Sequence, residues 1–217
     1  MSNLLPYTHA RLREIYPAEK PAQDFHVGKN AVNVTFRKSG LKIDVVPIIR
    51  DETLKHKNSG WIPCQDEWRL ISITAHVHFV HTRTARSNQI PGPVTSNDLV
   101  RLMKWWNRRF PESLRQCSYF CELITAAALE KSGVTGDWQS SLCQIFAFLA
   151  HHAFAQPILF SDYYDAKSVK LSSDLVVVLD AVNADNNLAR KWTQGIKRGL
   201  LTVAKKLYLS YAILSYV

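Results

Sequence analysis

Among the carboxylates of this 217-residue chain, Asp44 has the setting most suited to chemistry. It stands in Leu41-Lys42-Ile43-Asp44-Val45-Val46-Pro47, whose alternation gives a strand with Lys42, Asp44 and Val46 on one face. A carboxylate there either pairs with Lys42 on a solvated sheet surface or is retained at a site. Taken alone, the surface pair is the simpler reading. Lys104, in Leu99-Val100-Arg101-Leu102-Met103-Lys104-Trp105-Trp106, reads on its own as one charge on a solvated basic face with Arg101, Arg108 and Arg109. Ser118 and Tyr119 open the apolar stretch that runs to Ile124. The serine suits a helix cap, and the tyrosine suits a core position.

Other reactive types form weaker constellations. His78 and His81 lie one helical turn apart, with His76 close by, but no further zinc ligands can be placed beside them, so packing or hydrogen bonding is expected. Cys64, Cys117, Cys121 and Cys143 match neither a disulfide framework nor paired zinc-ligand spacing and read as reduced, mostly buried thiols. A metal site built from Cys117, Cys121 and His151 or His152 is the lesser alternative. A nucleophile elbow is excluded, because there is no Gly-x-Ser-x-Gly run.

The elements that must position these residues fall into two sections. Residues 3–16 carry Leu4, Leu5, Leu12, Ile15 and Tyr16 at helical spacing, and Pro17 ends the pattern. Ala31–Phe36 and Leu41–Val46 alternate around Arg37-Lys38-Ser39-Gly40, which predicts a β-hairpin closed by Pro47. Residues 51–66 are polar, with Gly60 and Pro63, and predict an exposed loop. Helices are predicted over 73–86, 96–110, 117–131, 140–154 and 187–214, the last divisible in two at Gly195 and Gly199. Leu175–Leu179 predicts a short buried strand or extended segment ending at Asp180 before a turn over 183–187. The expectation is an α+β fold, mostly α: residues 1–66 with the hairpin, then a helical domain over 67–217 with a short strand near 175–180.

Composition bounds the function. With 47% hydrophobic and 21% charged residues the chain folds rather than staying disordered. Its apolar runs are far shorter than the roughly 20 residues that span a bilayer, and no signal peptide is recognisable, so a cytoplasmic protein is expected. The formal charge of +9 favours polyanionic partners, either nucleoside triphosphates or RNA.

Four segments in order carry a family resemblance. Lys42 to Pro47 resembles the third-aspartate strand of oligoadenylate synthases and the related bacterial cyclic-oligonucleotide synthases, the CD-NTases. Leu99 to Trp106 resembles their Lys-Trp-Trp helix, and Ser118 to Ile124 resembles the helix that follows it. Val178-Leu179-Asp180-Ala181-Val182-Asn183-Ala184-Asp185-Asn186-Asn187 is similar to their "ILDPVNPENN" turn, with Ala181 and Ala184 in place of prolines.

The resemblance implies a hairpin remnant of a polymerase-β-like nucleotidyltransferase sheet. It also implies transfer of a nucleotidyl group from a nucleoside triphosphate to a hydroxyl, with Mg²⁺ or Mn²⁺ in a two-metal site, and a place in antiviral defence. Asp44 corresponds to a metal ligand, Lys104 and Ser118 to triphosphate contacts, and Tyr119 to a base-stacking position. The family's Gly-Ser turn and paired-acid strand have no counterpart: Gly-Ser does not occur, and only Glu14, Glu19 and Asp24 precede Asp44. One aspartate cannot hold two ions, so a truncated or split enzyme, or a relative that only binds nucleotide or RNA, is expected. A hairpin without neighbouring strands leaves an uncovered edge, which predicts a partner chain or self-association.

Overall fold

The computed structural model describes residues 4–16, 21–53, 58–64, 67–87, 92, 94–133, 136–151, 154–165 and 167–214. They form two compact units, Met1–Thr74 and Ala75–Val217.

In the first unit, helix α1 (Leu4–Ile15) precedes the antiparallel strands β1 (Phe25–Val27), β2 (Val32–Phe36) and β3 (Leu41–Val45), in the order β1-β2-β3. The expected hairpin is β2–β3. Its register pairs Val32 with Val45, Asn33 with Asp44, Val34 with Ile43 and Phe36 with Leu41, so the apolar side chains of both strands share a face. Val32 and Val34 are fully buried on that face, and Tyr16 from the end of α1 packs edge-on against Phe25 and Phe36 at 5.5 and 5.9 Å. Gly40 takes the turn's left-handed position at φ 70°.

A second sheet is formed by β4 (Ile49–Arg50), β5 (Ser59–Cys64) and β6 (Glu67–Ser72), and β5 falls within residues 51–66, expected to be a loop. Gly60 and Pro63 obscured it. The β4 pairing covers only Gly60 and Trp61 of β5, so Pro63, with no N–H to donate, faces a ladder partner on the β6 side alone. Gly60 is required for packing, because a Cβ there would meet the Ile49 carbonyl oxygen at 2.1 Å. The division expected after residue 66 meets this hairpin, whose ladder from Ser59↔Ser72 to Cys64↔Glu67 keeps both strands in the first unit.

The second unit is helical: α2 (Ile73–Ser87, beginning at the junction), α3 (Ser96–Asn107), α4 (Ser118–Ser132), α5 (Trp138–His151) and α6 (Gln194–Leu214). A reciprocal capping box starts α3, with Thr95 Oγ1 accepting from the Asp98 amide at 3.2 Å and Asp98 Oδ2 from the Thr95 amide at 3.3 Å. Gly133, at φ 79°, closes α4. The core joins Leu99 and Met103 of α3, Leu123 and Ile124 of α4, Ile145 and Phe146 of α5 and Leu200 of α6 to Phe79 and Phe160, which meet edge-to-face at 5.0 Å. Burying one such side chain contributes about 1.5–3 kcal/mol.

The last helix begins later than expected and is continuous, because Asn187 is committed to a turn. Its side chain accepts from the Val178 and Ala189 amides at 2.9 and 3.0 Å and donates to the Val176 carbonyl at 2.9 Å. Gly199 lies within α6, where a Cβ would press on Leu114 at 2.8 Å. Val176, Val178 and Leu179 are buried in extended backbone that makes only single bridges, Ile158↔Val178 and Leu179↔Asn187. No helix among the described residues is long and apolar enough to cross a membrane.

Candidate nucleotide-binding site

The capping box sets the start of α3, and its helical spacing directs Leu99 and Met103 into the core, with Lys104 half-buried toward α4. There Lys104 Nζ forms an ion pair with Glu122 Oε1, the side chains being 29% and 22% exposed. Both residues line a cleft of ≈ 380 Å³ between α2, α3 and α4, walled by Phe79, Val80, Val100, Ala126 and Leu129. That volume lies within the range of small-molecule pockets.

At the cleft wall Arg83 is buried, stacked 3.7 Å over the Phe79 ring, and paired with Glu130 and, at 3.3 Å, with Asp162. Two carboxylates on one buried guanidinium make it a structural clamp. Outside the cleft, Arg109 stacks 3.1 Å from the ring centre of the exposed Trp105, while Trp106 packs against Phe110 and Phe146.

Ser118 is exposed in the first turn of α4, and the cap is the residue before it: Cys117 Sγ accepts from the Phe120 amide at 3.4 Å. The capping expected of Ser118 has moved back one position. Ser118 is the first residue of α4, and a helix N-terminus favours anions.

Tyr119 turns the other way. Its hydroxyl donates to Asp180 Oδ1 at 3.1 Å and accepts from the Ala181 amide at 3.3 Å, and its ring meets His76 edge-on at 5.2 Å. Asp180 is a buried hub that also accepts from His76 Nε2 at 3.1 Å, the Val182 amide at 3.0 Å and Asn186 Nδ2 at 3.0 Å. Burial pushes its carboxyl up, but the His76 contact and the amide donors outweigh burial and hold it below the ordinary carboxylate range. Burial, then the Asp180 charge, raises the Tyr119 phenol. Asp180 and Asn183 thus shape and dock the turn.

Of the four thiols expected to be mostly buried, Cys121 alone is buried; Cys64 and Cys143 are half-buried and Cys117 is exposed. His78 Nδ1 lies 3.0 Å from the Tyr163 hydroxyl. Burial pushes the Cys121 thiol up to about 12, which keeps it protonated and a poor metal ligand. His152 lies outside the described residues, and no group of three metal-capable side chains occurs among those described.

Asp44 belongs to the first unit, exposed on β3, with Asn33 Nδ2 donating to its Oδ1 at 2.5 Å from the paired position on β2. Lys104, Ser118 and Tyr119 all belong to the second unit, on α3 and the first turn of α4.

Comparison with known proteins decides the family. The chain is 31% identical over 199 residues to the cyclic AMP-AMP-AMP synthase of Escherichia coli strain MS 115-1, and 27% identical over 208 residues to the CBASS oligonucleotide cyclase CdnC of strain KTE188. These matches cover 89% and 90% of this chain but 60% and 58% of the relatives. The structure of E. coli MS115-1 CdnC with ATP matches at a TM-score of 0.81 and 28% identity, over 97% of this chain and 70% of that one. The chain belongs to the CD-NTase superfamily. No family model matches it.

This CD-NTase chain therefore spans about 60% of the length of the curated relatives it matches. Within the shared part, sequence reasoning missed the residues that engage the candidates. Glu122 sits inside the segment that carried the resemblance, and its pairing with Lys104 was detectable as opposite charges on consecutive helices. The clamp of Arg83 on Glu130 and Asp162 spans 47 and 79 residues and leaves no local pattern.

Proposed function

We propose that this CD-NTase chain binds a nucleoside triphosphate through its helical unit and takes part in nucleotidyl transfer to a hydroxyl, as part of a cyclic-oligonucleotide system in antiviral defence. The observation that carries this reading is the match to ATP-bound CdnC over 97% of the chain, which includes the segments holding Lys104 and Ser118. Lys104 supplies a mobile positive charge for the phosphates, Ser118 a hydroxyl at a helix N-terminus, and Tyr119 a ring edge whose hydroxyl is tied to Asp180.

The metal requirement limits what these residues do alone. Two divalent ions need several hard oxygen ligands, and Asp44 belongs to no group of three or more metal-capable side chains among the described residues. Asp44 fits as one ligand of a Mg²⁺ or Mn²⁺ centre, and it does not make that centre. Transfer then requires carboxylates from residues outside this set.

The same observation supports a second reading, a module that binds nucleotide or RNA without turnover, to which the charge of +9 lends weight. Labelled ATP or GTP with Mn²⁺ separates the two. Pyrophosphate release that Asp44→Ala abolishes supports transfer, and salt-sensitive binding without release supports the module. Release that Asp44→Ala leaves unchanged removes Asp44 from the mechanism.

A further inference from the structure

One atom, Asp180 Oδ1, tethers both partners of a ring pair. The Tyr119 hydroxyl donates to it at 3.1 Å, and His76 Nε2 lies 3.1 Å from it. The two rings stand with their centres 5.2 Å apart and their planes at 74°. All three residues belong to the second unit.

These contacts constrain different things. The phenolic oxygen lies on the axis about which the tyrosine ring turns, so its bonds to Asp180 and the Ala181 amide fix that axis and leave the ring plane loosely held. The torsion about that axis is intrinsically broad. What sets the plane is a neighbour that the turning ring would crowd, and the imidazole of His76 stands in that position. His76 is itself kept from rotating by its bond to Asp180.

Stacking on a base depends on the ring plane and not on the hydroxyl. On the nucleotide-binding reading of Tyr119, on which this rests, we propose that His76 is a positioning residue for the base. It makes no contact with the nucleotide, and it fixes the Tyr119 plane against which the base stacks.

Two variants and two ligands, compared by isothermal titration on the full chain, test it. His76→Gln keeps an N–H for Asp180 and lacks the ring, whereas His76→Phe keeps a ring beside Tyr119 and lacks the donor. ATP presents a base and phosphates, and inorganic tripolyphosphate presents phosphates alone to Lys104 and Ser118. His76→Gln should weaken ATP binding by about two- to tenfold, as expected for the loss of one aromatic pair, and His76→Phe should stay within about twofold of wild type. Tripolyphosphate affinity should be the same in all three proteins. ATP bound equally by wild type and His76→Gln overturns the proposal. So does a loss in His76→Phe that matches the loss in His76→Gln, which would place the role in the hydrogen bond, and so does a loss shared by ATP and tripolyphosphate, which would reflect loosened packing. Wild type that binds no ATP at all removes the nucleotide reading itself, and the role of His76 with it.

Discussion

Lys104 on α3 is ion-paired with Glu122 on α4, so the ammonium proposed to meet a triphosphate is already engaged by a carboxylate of its own unit. To reach a phosphate, Lys104 must leave Glu122, and the two interactions compete for one charge. Glu122→Gln should therefore tighten ATP binding by about three- to tenfold, while Lys104→Met weakens it about tenfold. Isothermal titration of ATP against both variants checks this, and a Glu122→Gln protein that binds less tightly would assign the pair a purely structural role.

Tyr119→Phe removes the donor to Asp180 and the acceptor for the Ala181 amide while keeping the ring. Unsatisfied partners in a buried network cost about 1–3 kcal/mol, which urea unfolding should report. Nucleotide stacking needs only the ring, so ATP affinity should survive Tyr119→Phe and fall in Tyr119→Leu. Equal losses in both would place the tyrosine's contribution in the hydroxyl.

The same network sets a pH window. The Asp180 carboxyl titrates below its unfolded value, so its stabilisation is present above the ordinary carboxylate pKa and is lost as pH falls through the folded value, below about pH 4. The Tyr119 phenol is raised, so its contribution is present below about pH 10 and declines as pH rises past that point toward the folded value. Unfolding free energy measured across pH should fall at both limits. In Asp180→Asn the acid limb should flatten.

Gly60→Ala should disrupt the second sheet. Its methyl would meet the Ile49 carbonyl oxygen at 2.1 Å and the Ile48 Cγ1 at 2.9 Å, and the first of these is backbone. A cost of more than about 2 kcal/mol is expected. Hydrogen exchange should show protection lost across β4 to β6, with α3 and α4 unchanged.

The β2–β3 hairpin and the start of α3 were legible because the sequence states them locally, the hairpin through period-two alternation around Ser39-Gly40 and the helix through a polar start followed by core spacing. The β5–β6 hairpin was not, since Gly60 and Pro63 are strand-breaking types whose acceptance depends on what lies beside them: a close carbonyl at one and an unpaired flank at the other. At the candidate site, the types and order of Asp44, Lys104, Ser118 and Tyr119 were readable as single residues. Their engagements, Lys104 with Glu122 and Tyr119 with Asp180, depend on packing between helices and on a turn 61 residues further on.

That separation has a consequence during synthesis. Asp180 bonds His76 and Tyr119 across 104 and 61 residues, so both wait for it to leave the ribosome. At about 5–20 residues per second the interval after Tyr119 lasts roughly 3–12 s. Throughout it the nascent α2 and α4 carry an imidazole and a phenol whose acceptor does not yet exist, and this is when a holding chaperone would have most to recognise.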